Sequence, residues 1–75
     1  MEMDNHTAAQ AVRVILAAIQ IRLEDAARIA RAASACAQAG STGEGVTLAL
    51  DIEQPVHEAG RLLDAASLLN RLTEG

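Results

Sequence analysis

The sequence predicts an all-α fold: a helical hairpin that pairs with a second copy into an antiparallel four-helix bundle. Three observations carry this. The thirty-three residues from Thr7 to Ala39 contain thirteen alanines and neither Gly nor Pro, a composition that favours one uninterrupted helix. The residues after Asp51 form a second amphipathic pattern. The long segment is apolar around most of its circumference, and a single short partner helix covers only one side of it.

The first helix is bounded on both sides. Thr7 followed by Gln10 three residues later matches a capping box, in which the hydroxyl takes an orphan amide and the Gln reaches back. Gly40 supplies a residue that tolerates positive φ and stops the helix. Val12, Leu16, Ile19, Leu23, Ala26, Ala30, Ala33 and Ala37 alternate steps of four and three, which is a heptad seam. A second apolar edge, carrying Val14, Ala18, Ile21 and Ala32, lies off that seam. Gln10, Arg13, Gln20, Glu24, Arg28, Arg31 and Gln38 fill a narrow polar sector. The apolar residues Val12, Val14, Leu16, Ile19, Ile21, Leu23, Ala26, Ala30, Ala33 and Ala37 are therefore the expected self-association surface.

Between the helices, Gly40 to Gly45 holds three glycines in six residues and reads as a loop. Val46, Leu48, Leu50 and Ile52 then alternate with Thr47, Ala49 and Asp51, a period-two pattern that predicts an extended strap. Residues 40–50 are thus expected as loop and strap, with a dimer strand as the other option. Asp51 is the expected cap of the second helix, residues 51–73, with Pro55 near its start. Because the residue before a proline prefers extended backbone, Pro55 is the alternative start. Val56, Ala59, Leu62, Leu63, Ala66, Leu69 and Leu72 make the apolar face of that helix. Gly60 suggests a close approach by another helix. The ends, Met1 to His6 and Thr73 to Gly75, are expected to fray.

Composition narrows the function. At 75 residues the chain is one domain, small enough that oligomerisation often completes the core. The net charge is −4, with six arginines and no lysine, which disfavours general nucleic-acid binding. There is no aromatic residue on which bases could stack. Cys36 is the single cysteine, so no internal disulfide points to an oxidising compartment. The acidic N-terminal residues and the charges within the long helix argue against a secretory or membrane segment. The expectation is a cytoplasmic protein, and the Ala- and Arg-rich, Lys-free composition suggests a GC-rich, bacterial genome.

No catalytic constellation is legible, and no cofactor is expected. His57 stands four residues after Glu53 and seven before Asp64, an arrangement that resembles part of a metal shell. It lies on the outward face, however, and lacks a second histidine at metal-binding spacing. Solvated pairs Glu53–His57 and Arg61–Asp64 are the simpler reading. Cys36 sits among alanines with no base nearby in sequence and reads as a small core residue. The Gly40–Gly45 stretch lacks the lysine and preceding strand of a phosphate-binding loop.

Two polar residues interrupt apolar surfaces. Arg22 falls between Ile15 and Ile29, and Asn70 intrudes on the second helix. A turn centred on residues 40–50 brings them level, so a register-fixing contact between Arg22 and Asn70 is expected. The predicted function is a small, non-catalytic protein-interaction module, a homodimeric adaptor, regulator or subunit. The alternative is an RNA-binding helical-hairpin dimer that uses Arg13, Arg28 and Arg31, although Glu24 and Asp25 interrupt that stripe.

Overall fold

The computed structural model describes residues 4–74. They are all-α and hairpin-like. Helix α1 spans Asn5–Gln38, α2 spans Thr42–Ala49, a 3-10 turn covers Leu50–Ile52, and α3 spans Glu53–Glu74. The last three are joined end to end by helical backbone at Ala49, Leu50 and Glu53, so the chain consists of two long arms. The rod measures 56 × 14 × 13 Å between Cα extremes.

Helix α1 begins earlier than the Thr7 capping box implies. Asp4 is the cap: its Oδ1 accepts from the Thr7 amide at 2.8 Å and its Oδ2 from the Thr7 hydroxyl at 2.9 Å. A carboxylate at the positive end of a helix outcompetes a neutral hydroxyl for the same orphan amides. Asn5 and His6, expected to fray, are helical. Met1–Met3 and Gly75 lie outside the described residues, while Thr73 and Glu74 continue α3. The other end of α1 follows expectation. Gly40 adopts φ +98°, its amide donates to the Ala37 carbonyl, and the Ser41 amide donates to the Cys36 carbonyl, both at 3.0 Å. These are the paired bonds of a Schellman cap.

The expected loop and extended strap at 40–50 do not form. The chain turns at Gly40 and Ser41 and re-enters helix at Thr42. The decisive residue is Gly45, which is buried against α1. A Cβ built on it would stand 2.8 Å from the Ala33 carbonyl oxygen and 3.4 Å from the Ala37 nitrogen. Only glycine lets the two backbones approach so closely, and the packing gained overrides the poor helix propensity of Gly43 and Gly45.

Asp51 is likewise not a cap but the middle of the 3-10 turn. Pro55, four residues later, has no N–H to offer the Asp51 carbonyl, and its ring crowds that carbonyl. A locally tighter turn accommodates both effects without breaking the arm.

The arms meet along two matched stripes. On α1 the residues turned inward are Ala8, Val12, Ile15, Ile19, Arg22, Ala26, Ile29, Ala33 and Cys36; opposite them lie Ile52, Pro55, Ala59, Leu62, Ala66, Leu69 and Thr73. Both stripes alternate threes and fours, as antiparallel helices at a shallow crossing require. The predicted seam shares Val12, Ile19, Ala26 and Ala33 with the observed one, but the observed stripe is rotated toward Ile15, Arg22 and Ile29. Leu16, Leu23 and Ala30 are left exposed. Alanines at 26, 33, 59 and 66 let the arms come close together, and all four are buried. Among the described residues no Leu, Ile or Val is buried.

Candidate interaction surface

The interior seam holds one charged side chain from α1, Arg22. Its Nε donates to Glu58 Oε1 at 3.1 Å. The predicted contact with Asn70 therefore gives way to one with Glu58. Asn70 lies twelve residues further along α3, about 18 Å away at helical rise. The reason is the position of the turn. Because the chain reverses at Gly40 rather than through a long strap, the level partner of Arg22 moves back along the second arm by some ten residues. On a helical wheel Glu58 stands at the edge of the apolar face, close to Leu62, Ala65 and Leu69, and periodicity alone does not name its partner. Counting outward from Gly40 in antiparallel register is the signal that finds it.

The Arg22–Glu58 pair marks one side of the seam. On that side an open depression is lined by Arg22, His57, Glu58, Arg61 and Leu62, and Asp25 holds Arg28 in an ion pair nearby along α1. Glu58 already supplies Arg22 with its anion. His57, Glu53 and Asp64 are exposed. Among the described residues no group of three or more His, Cys, Asp or Glu is placed to hold a metal ion. Cys36 is half-buried with a free thiol, and its carbonyl serves the Schellman cap.

Arg13, Arg28 and Arg31 are all exposed on α1. Arg28 is engaged by Asp25, and Gln20 donates to Glu24 at 2.9 Å between the first two arginines. The sector is a mixed-charge surface, not a continuous basic stripe.

The predicted self-association residues divide into two groups. Val12, Ile19 and Ala37 are half-buried and Ala26 and Ala33 buried, so these five pack within the chain. Val14, Leu16, Ile21, Leu23 and Ala30 are exposed, joined by Val46, Leu50, Val56, Leu63, Leu68 and Leu72. They form two apolar flanks. Helical geometry with antiparallel arms puts Leu16 and Leu23 on the same side of the seam as Val56 and Leu63, away from the Arg22–Glu58 pair. Val14 and Ile21 share the other side with Leu68 and Leu72.

No protein-family model, curated protein or solved structure matches the chain. The residues themselves carry the functional reading. Among those described, no helix is long and apolar enough to cross a membrane.

Proposed function

We propose that this chain is a non-catalytic protein-interaction module that works as a self-associated helical bundle, two hairpins forming four antiparallel helices. The supporting observation is an inversion of the usual burial. The side chains buried between the arms are chiefly alanines, whereas Val14 is 70% exposed, Leu72 66% and Leu63 57%. Covering a side chain of that size contributes about 1.5–3 kcal/mol. A hairpin whose core is mostly Ala gains little of that energy alone, and a domain of this length has few reserves. Burying the flanks against a second copy supplies what the chain's own core lacks. Such a bundle would serve as an adaptor, regulator or small subunit, with its charged outer sectors free for other proteins.

Sedimentation equilibrium over a wide concentration range tests this reading. Interference optics suit a chain without Trp or Tyr. A dimer mass that persists on dilution is expected. A monomer at every concentration overturns the proposal.

A further inference from the structure

The two apolar flanks are not equivalent. The one bearing Val14 and Ile21 also carries the Arg22–Glu58 pair and the Asp25–Arg28 pair. The opposite flank presents Leu16, Leu23, Val56 and Leu63, with no charged residue in its sector from Ala9 to Ala30 on α1 or from Val56 to Asn70 on α3. For an acidic chain of net charge −4, this is the face on which a second copy meets the least repulsion and loses no hydration of ions.

Its pattern is also symmetric along the arms. On α1 the flank reads Ala9, Leu16, Leu23, Ala30, small to large to large to small at intervals of seven. On α3, Val56 and Leu63 repeat the central interval. The Arg22–Glu58 contact sets the height of one arm against the other, and by that register the midpoints of Leu16–Leu23 and Val56–Leu63 lie level to within about half a turn. A two-fold axis crossing both arms at those midpoints maps the flank onto itself, the self-complementarity an isologous interface requires.

Resting on the self-association proposed above, we infer that two copies pack this flank together about that axis, with α1 antiparallel to α1 of the other copy. Leu16 then meets Leu23, Val56 meets Leu63, and Ala9 meets Ala30, each across the interface. The outer rim supports this axis over the alternative that runs parallel to the arms. Arg13 comes within about two residues' rise of Glu24 of the other copy, twice by symmetry, whereas the parallel axis sets an attraction of Arg13 to Asp64 against an equally close repulsion of Glu24 and Glu53 of the other copy. A face 56 Å long and 14 Å wide is of the size, roughly 800 Å² per partner, that stable interfaces bury.

Cysteine cross-linking tests the geometry. In a Cys36→Ser background, Ala9→Cys and Ala30→Cys chains are made separately, checked for helicity by circular dichroism, mixed, and treated with a short bis-maleimide. Cross-linked dimer is expected in the mixture and not in either chain alone, because like positions are about 30 Å apart across the axis. Efficient linkage of Ala9→Cys with Asn70→Cys instead would establish the parallel axis and overturn the inference. So would loss of the dimer in Val14→Glu with its retention in Leu16→Glu. Sedimentation of the same preparations separates the two levels: monomers throughout overturn self-association itself, while a dimer without the Ala9–Ala30 link overturns only this interface. A charge exchange provides an independent readout, in which Arg13→Glu raises the dimer dissociation constant several-fold and adding Glu24→Arg restores it.

Discussion

Arg22 of α1 and Glu58 of α3 join the two arms at 3.1 Å, with side chains 37% and 43% exposed. Solvent reaches both groups, so the pair contributes at the scale of a surface ion pair, about 0.2–1 kcal/mol. Its larger consequence is register, since it stands at one rim of an otherwise uncharged seam. Arg22→Ala is expected to lower the melting temperature more than Arg13→Ala, because Arg13 is exposed on the outer sector and would meet the other copy only at the rim, where a charge acts on association more than on stability. Reversing the pair with Arg22→Glu and Glu58→Arg together should recover most of the loss seen with either alone. Thermal melts followed by circular dichroism at low and high salt check both points. Equal, negligible shifts for Arg22→Ala and Arg13→Ala would remove the register role.

Gly45→Ala should destabilise the fold although alanine is the better helix former. The added Cβ meets the Ala33 carbonyl oxygen at 2.8 Å, and main chain on both sides leaves nothing flexible to move. Overpacking of about 1–3 kcal/mol outweighs a propensity gain of about 1 kcal/mol. Denaturant unfolding measures the balance, and an unchanged or raised midpoint would sink the close-approach account of α2.

Gly43→Ala and Gly60→Ala should do the reverse. Both glycines are helical with nothing within 4 Å of a built Cβ, so each replacement stabilises by roughly 0.5–1 kcal/mol. The expected close approach at Gly60 is not made within the chain. If Gly60→Ala instead weakens dimerisation in sedimentation runs, another copy packs there. Gly40→Ala forms the contrast. At φ +98° a side chain is strained by about 1–2 kcal/mol, and the Schellman cap weakens with it.

Asp4 makes the start of α1 sensitive to acid. The Thr7 amide, and after it the Thr7 hydroxyl, hold its carboxyl below the ordinary value of 3.8. A carboxyl with a depressed folded-state pKa stabilises fully above its unfolded value, and that contribution disappears as the pH falls through the folded one. The melting difference between wild type and Asp4→Ala should therefore be constant from neutral pH down to about 3.8 and shrink below it. A difference that keeps its size in stronger acid would show that charge plays no part in the cap.

The sequence by itself determined the all-α class, the existence and breadth of α1, and its stop at Gly40. Those features follow from local propensities and from one residue able to take positive φ. It also marked Arg22 as an intruder in apolar surface. Its partner, the rotation of the seam and the helicity of Thr42–Ala49 were settled only by tertiary packing. With apolar residues on most sides of α1, several stripes satisfy a heptad equally well, and only the approach of the second arm selects Ile15, Arg22 and Ile29 over Leu16, Leu23 and Ala30. Glycines that locally signal a loop became helix because Gly45 lets two backbones touch. That early return to helix moved the turn to Gly40, and the shifted register gave Arg22 to Glu58 rather than Asn70.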